Sequence, residues 1–266
     1  MTQISVYIIA FNEAEKVRAT IQSVLWADEI VLVDSWSTDG TADIAASMGA
    51  KVVQVQFNGF GDLRNQALAE CTGDWIFSLD ADERCTPAVA DEIRAICNDA
   101  QSLDAYFVPR RNYFMGQWIK HSGWYPNYRQ PQLFRKGHLV YDQKPVHEGF
   151  EVISKMPIGY MKNAIWQFPF KNFAEVMHKA NRYSSLGAEK IKHKKITMGS
   201  AFLHGIWAFI KHFVFKQGFR DGWAGFVIAL GNFEGTFYRY AKAFEMQKNT
   251  EWETASDAKN ASEWRS

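Results

Sequence analysis

Cysteine is scarce in this chain: Cys71, Cys85 and Cys97 are the three in 266 residues, and no two form a C-x-x-C pair. An odd set without ligand spacing argues against a zinc site and points to a reducing compartment. No G-x-G-x-x-G follows the first apolar run, where Phe11-Asn12-Glu13-Ala14 stands instead. That argues against a dinucleotide-dependent dehydrogenase, and equally against a nucleotidyltransferase with a glycine-rich phosphate loop. Long apolar runs are also missing. The N-terminus lacks a positive region followed by a long apolar stretch, so no signal peptide is expected and the protein is expected to stay in the cytoplasm. In the C-terminal part the longest stretch free of Lys, Arg, Asp and Glu is 196–210, 15 residues. A spanning helix needs ~20 predominantly apolar residues.

What is present is an ordinary globular composition with a large aromatic share, including 10 Trp and 20 Phe. Such side chains suit both sugar stacking and a membrane interface. The net charge of +1 conceals an asymmetry. Residues 1–100 carry 6 Lys/Arg against 16 Asp/Glu, and residues 151–250 carry 15 against 6. The acidic part would help to hold a divalent cation. The basic part, interleaved with aromatics, could face nucleic acid, anionic lipid or a phosphorylated acceptor.

Strand and helix signals alternate through the first hundred residues. Strands are predicted over 4–10, 29–33, 51–57 and 74–79, with helical patterns between them. This alternation implies βαβ units and a mainly parallel sheet, an α/β fold. Ligands of such sheets sit beyond the carboxyl ends of the strands. Asn12-Glu13, Asp34-Ser35 and Asp80-Ala81-Asp82-Glu83 all fall at such ends. Further strands are expected over 105–109 and 132–135. A basic helical pattern runs from residue 172 to about 195, apolar stretches follow over 196–247, and a polar tail from about 249 is expected to fray.

Asp80 and Asp82, at i and i+2 after a buried strand, can point into one cleft if the chain bends there. Hard oxygen ligands of this kind suit Mg²⁺ or Mn²⁺ together with phosphate oxygens. The alternative is a solvated acidic turn ahead of a helix starting near Thr86-Pro87. Asp34 and Asp39 on a neighbouring strand favour the first reading.

In order and spacing, four motifs resemble glycosyltransferase family 2 over residues 3 to about 150. They are Ile8-Ile9-Ala10-Phe11-Asn12-Glu13, Val33-Asp34-Ser35 with Thr38-Asp39-Gly40-Thr41, Arg64-Asn65-Gln66-Ala67, and Leu79-Asp80-Ala81-Asp82-Glu83. Within that family the chain is most similar to lipopolysaccharide inner-core β-1,4-glucosyltransferases. The residues that carry this are Gly123-Trp124-Tyr125-Pro126, Gln132-Leu133-Phe134-Arg135-Lys136, Val146-His147-Glu148 and Gly218-Phe219-Arg220-Asp221-Gly222. Gln132 departs from the R-L-F-R run expected there.

The resemblance implies a GT-A fold, a nucleotide-activated sugar such as UDP-glucose, Mg²⁺ or Mn²⁺, and an inverting mechanism acting on a core heptose. Nucleic acid is not an expected partner. The resemblance puts Ala10, Asn12 and Glu13 beside the uridine and Asp34 on the uracil. Arg64 would lie near the diphosphate or ribose, Asp80 near ribose or sugar hydroxyls, and Asp82 on the metal. Inverting transfer needs a base to take the acceptor hydroxyl's proton, a contribution of ~10²–10⁴-fold. Glu148 is the leading candidate and Asp142 the reserve, with His147 as a further metal or phosphate ligand; an exposed turn before Gly149 is the competing account of His147-Glu148. Glu83 could orient the site or cap a helix. Arg110, Arg111, Trp118, Trp124, Arg129 and Arg135 are candidates for the acceptor side; core packing with a solvated rim is the competing account of the Trp and Arg residues over 110–135.

A catalytic domain is therefore expected over 1–150, a helical region over 151–248 and the tail over 249–266. In the helical region Phe202, Leu203, Ile206, Trp207, Phe209 and Ile210 have helical spacing and are followed by Lys211 and Lys216. That pattern suits a helix lying on an anionic membrane, here the cytoplasmic face of the inner membrane, or else a core helix packed on the domain. A non-catalytic GT-A domain that only holds nucleotide or membrane is the remaining alternative.

Overall fold

The computed structural model describes residues 2–142 and 149–263. Its elements begin with β1 (Ile4–Ala10), α1 (Ala14–Gln22), β2 (Glu29–Asp34), α2 (Thr41–Ser47), β3 (Lys51–Gln54) and α3 (Phe60–Glu70). Next are β4 (Trp75–Asp80), β5 (Glu83–Arg84), α4 (Pro87–Asn98), β6 (Ala105–Phe107), β7 (Arg110–Phe114), β8 (Gln117–Trp118) and β9 (Pro131–Arg135). β10 (Leu139–Tyr141), β11 (Phe150–Val152), β12 (Gly159–Tyr160) and β13 (Ile165–Gln167) come after these. The chain then forms α5 (Phe173–Ile191), α6 (Met198–Ile210), a π-helical turn over Lys211–Phe215, a 3-10 turn over Gly218–Asp221, and α7 (Gly222–Glu263). Two compact units result: residues 1–113 with 125–169, and residues 114–124 with 170–266.

Seven strands of the first unit form one sheet in the order β12-β6-β9-β4-β1-β2-β3. β1 lies parallel between β2 and β4, β3 is parallel to β2, and β12 is parallel to β6. β9 runs antiparallel to both β4 and β6. All seven residues of β1 are buried, as a parallel strand covered on both faces requires. Its side chains alternate between two cores. Val6 and Ile8 pack with Val17 and Ile21 of α1 and Val89 and Ile93 of α4. Tyr7 and Ile9 pack with Leu63 and Ala67 of α3. Helices thus flank the sheet on both sides, as the alternating pattern predicts. β12 pairs with β6, and β13 with β5 and β7, which carries the first unit past residue 150 to residue 169.

The second unit is helical apart from the segment 114–124. Asn172 and Thr197 cap α5 and α6, their side chains accepting the N–H groups of Glu175 at 3.0 Å and Ser200 at 3.1 Å. One core gathers Phe114, Ile119, Ala224 and Ile228, and another Ala188, Ile196 and Ala243. Asp221 is buried and accepts the N–H groups of Lys120 at 3.2 Å and His121 at 3.1 Å and the Ser122 hydroxyl at 2.8 Å. A Cβ at Gly225 would lie 1.8 Å from the Gly218 carbonyl oxygen, so only glycine fits this crossing. The helix α7 continues to Glu263, through the segment where the sequence predicts fraying. Ala, Glu and Lys recur in that segment, and all three favour helix. Among the described residues no helix is long and apolar enough to cross a membrane.

Candidate active site

The parallel register sets Ala10 opposite Asp34 and Ile9 opposite Asp80, so the carboxyl ends of β1, β2 and β4 lie side by side. The loops that leave those ends are bonded to one another. Asn12 donates its N–H to Ser37 Oγ at 2.8 Å, and its Oδ1 accepts from Thr38 N–H at 2.9 Å. Glu13 N–H reaches Thr41 Oγ1 at 2.9 Å, and Ala14 N–H reaches Asp39 Oδ2 at 3.0 Å. Burial would raise the Asp39 carboxyl, but the hydrogen bonds from Thr41 and Ala14 outweigh it and hold the group low. Asn12 sits at φ 54°, a left-handed conformation that asparagine tolerates better than most residues. Asp34 is wholly buried and accepts both the N–H of Ser37, at 2.8 Å, and its hydroxyl. The structure therefore brings Ala10, Asn12, Glu13 and Asp34 into one rim.

Arg64 projects from α3 toward the end of β4 and is almost fully buried. Its Nη2 meets Asp80 Oδ1 at 2.7 Å, and its Nη1 donates to Ser78 Oγ at 3.2 Å. Burial opposes ionisation of Asp80, but Arg64, and then Arg110, hold the carboxylate below its ordinary range. The Arg64 guanidinium also lies 5.7 Å from the Tyr141 ring centroid, and Tyr141 shares a 3.0 Å hydroxyl contact with Tyr7. Arg64 and Asp80 thus form one packed pair at the site's floor.

Asp82 has a different environment. It is half-buried, and the Gln167 amide donates to its two oxygens at 3.3 and 3.4 Å. Burial first, then the neighbouring carboxylates of Asp80 and Glu83, push it up to about 7. Asp80 is matched to Arg64, and Glu83 is matched to Arg110, whose Nε approaches Oε1 at 2.5 Å. A third carboxylate raised beside two matched ones is a place where a hard divalent cation would relieve repulsion. Among the described residues no three His, Cys, Asp or Glu side chains form a complete metal cage.

Asp142 comes directly after β10 and accepts the Gly149 N–H at 2.8 Å. It lines a cleft of about 580 Å³ with Asn65, Val140, Tyr141, Phe150 and Glu151. Asn65 adjoins Arg64 and bonds both backbone groups of Tyr141, at 2.8 and 2.9 Å, which joins this cleft to the Arg64–Asp80 pair. His147 and Glu148 lie outside the described residues.

The acceptor-side expectations fare unevenly. Arg129 is exposed, and its charge contributes to lowering Asp80. Arg135, by contrast, belongs to the other end of the sheet. Because β9 is antiparallel to β4, Arg135 pairs with Trp75 at the start of β4. Its guanidinium stacks 4.6 Å from the Trp75 ring centroid and bonds Asp104 at 3.1 Å. Arg110 follows the core-packing account, since it is buried against Glu83 and donates to Asn127 O at 3.0 Å. Trp124 belongs to the second unit, where its ring packs 5.7 Å from that of Phe114.

Sequence reasoning overlooks Ser37 and Gln167. Ser37 lies three residues after Asp34, a spacing at which an Asp side chain can bond the backbone ahead, and that signal is present in the sequence. Gln167 is 85 residues from Asp82 and reaches it only because β13 pairs with β5. Gln132, the departure from the expected arginine, is buried, and its amide donates to Glu83 Oε2 at 2.9 Å and to Ser78 O at 3.0 Å.

This geometry, three carboxylates beyond a mainly parallel sheet with a buried arginine among them, belongs to the class of α/β enzymes that bind ligands at strand ends. The model of the family described as Glycosyl transferase family 2 matches residues 5–152. A glycosyltransferase of Rickettsia bellii is 31% identical over 264 residues, covering 92% of this chain and 87% of the relative. The lipopolysaccharide core biosynthesis glycosyltransferase LpsC of Rhizobium meliloti is 28% identical over 91% of this chain and 92% of its own. Among solved structures, mannosyl-3-phosphoglycerate synthase from Rubrobacter xylanophilus aligns with a TM-score of 0.38 and 27% identity, over 42% of this chain and 41% of that one. The chain belongs to glycosyltransferase family 2, with the α/β sheet and helical C-terminal region expected of it.

Proposed function

We propose that this glycosyltransferase moves a hexose, glucose from UDP-glucose, onto a heptose of the lipopolysaccharide inner core, with inversion at the anomeric carbon. The observation that carries the reading is the half-buried Asp82 beside the Arg64–Asp80 pair at the carboxyl end of β4. Similarity to the core biosynthesis relative along nearly the whole of both chains supports the acceptor class.

In this reading the rim formed by Ala10, Asn12, Glu13 and Asp34 receives the uridine. Asp34 keeps lone pairs beyond those taken by Ser37 and accepts the uracil imide N–H. Asp80, fixed by Arg64, orients ribose or sugar hydroxyls. Asp82 would hold Mg²⁺ or Mn²⁺, with His147 as a further ligand, and the cation would offset the charge of the diphosphate. Arg64 holds Asp80 in its ionised, outward-bonding form. Glu148 takes the acceptor proton, with Asp142 as the reserve at the mouth of the cleft. Arg129 lies on the acceptor side.

The test is UDP release from a panel of UDP-sugars by the purified protein, with Mn²⁺ or Mg²⁺ and then with EDTA, before and after addition of heptose-containing core lipopolysaccharide. Metal-dependent release from UDP-glucose, stimulated by the core acceptor, is the expected result. Release stimulated only by another glycan would overturn the acceptor, and UDP binding without any turnover would mean a non-catalytic domain.

A further inference from the structure

The second unit carries a set of exposed apolar and aromatic side chains that its own cores leave outside. On α6, Leu203 is 67% and Trp207 56% exposed; Phe215 in the π-helical turn is 66% exposed, and Trp223, at the start of α7, is 79% exposed. Phe202, Val214 and Phe219 are about half exposed as well. A patch of this extent on one unit marks an interaction surface rather than scattered exposure.

Ring contacts join most of these residues into two clusters. Leu203 and Trp207 are four apart on one helix and share a face. Trp207 packs 5.7 Å from Phe215. Phe213 is the hub of the rest, with Phe209 at 5.3 Å, Phe226 at 6.0 Å and Phe219 at 6.3 Å, and Trp223 lies 5.7 Å from Phe226. The inner rings brace the outer ones, so the exposed indoles are presented on a rigid base.

The exposed charge of the segment that carries these residues has one sign. Lys211, Lys216 and Arg220 fall among these residues, and the only acidic residue between 196 and 233 is Asp221. Asp221 is buried, with its carboxylate oxygens held by Lys120 N–H, His121 N–H and the Ser122 hydroxyl. Exposed charge over this stretch is therefore basic. Exposed Trp and Phe with a basic rim suit the headgroup layer of an anionic bilayer, where indoles enter the interface and Lys and Arg meet lipid phosphates. We infer that the surface bearing Leu203, Trp207, Phe215, Phe219 and Trp223, rimmed by Lys211 and Arg220, docks this protein on an anionic lipid surface without spanning it. The inference is independent of the donor and acceptor proposed above.

Flotation of the full chain with vesicles of phosphatidylcholine alone, and of phosphatidylcholine with phosphatidylglycerol, tests it. Binding is expected to the anionic vesicles, weakened by added salt, and little to the neutral ones. Each basic residue near such a surface contributes about fivefold in partitioning, so K211Q with R220Q should lower it about 25-fold. W207S with W223S should also release the protein, and both pairs are exposed, so the melting temperature serves as the check on folding. Absence of binding to anionic vesicles overturns the inference. So does binding unaffected by either pair of substitutions, or a dimer in solution that W207S with W223S dissolves, since the face would then belong to a second copy.

Discussion

Replacing Glu83 by alanine removes the carboxylate at the centre of a buried network. Glu83 is completely buried, its Oε1 meets Arg110 Nε at 2.5 Å, and its Oε2 accepts from Gln132 at 2.9 Å and from the Asp80 N–H at 3.0 Å. Arg110 is itself only 2% exposed, so the substitution leaves a guanidinium charge in the core without its counter-ion. Breaking a buried pair from one side destabilises by about 3–5 kcal/mol. The orphaned Asp80 N–H and Gln132 amide belong to the same network and are not added separately. At ~2–4 °C per kcal/mol for a domain of this size, Glu83→Ala should lower Tm by roughly 6–20 °C. Thermal unfolding followed by circular dichroism measures it. The double substitution Glu83→Met with Arg110→Met removes both charges and keeps much of the volume, and it should recover most of the loss. A shift of under ~2 °C for Glu83→Ala, less than 1 kcal/mol, would refute the reasoning. A double variant at the sum of the two single losses would refute it too.

Four further outcomes are expected. Because Asp82 is raised to about 7, divalent-metal affinity measured by isothermal titration should fall tenfold per pH unit below that value and level off above it. The same raised carboxyl stabilises the metal-free fold at acid pH and loses that contribution as pH rises through about 7, so Mn²⁺ should raise Tm more at pH 8 than at pH 6. Glu148→Gln should lower kcat by ~10²–10⁴ while UDP binding is kept, and if Asp142→Asn alone does so the base assignment passes to Asp142. Arg135→Ala should lower Tm through loss of Asp104 and the Trp75 ring but leave kcat/KM for the donor unchanged, and a large kinetic loss would contradict its placement at the far end of β4.

Strand ends are legible in the sequence because parallel strands announce themselves as short apolar runs, and the residues directly after such a run must lie at its carboxyl end. Asn12, Asp34 and Asp80 are found this way, without any knowledge of register. Arg135 shows where that reasoning stops. Gln132-Leu133-Phe134-Arg135 reads as a strand, but its direction in the sheet depends on pairing with β4, and no local signal encodes that. Glu83 is legible as a carboxylate near the site and illegible as a buried ion, since its partners Arg110 and Gln132 are 27 and 49 residues away. The extension of the first unit past residue 150 comes from β12 and β13, strands of two and three residues too short to leave a periodic pattern. Gly218-Phe219-Arg220-Asp221-Gly222 reads as a family signature in the sequence. Its physical content is a close backbone crossing and a buried carboxylate that holds a distant loop.

That last carboxylate sets a timetable. Asp221 holds a segment whose Ser122 left the peptidyl-transferase centre 99 residues earlier. At a synthesis rate of ~5–20 residues per second, the segment waits about 5–20 s for its partner to exist. Throughout that interval the amides of Lys120 and His121 and the Ser122 hydroxyl are served by water or by passing acceptors. The second unit closes only after residue 221 has been made, so its assembly follows the synthesis of all the strands, and the sheet can form beforehand. A nascent chain stalled before residue 221 would hold the segment 114–124 undocked and open to protease, and one stalled after α7 has emerged would not.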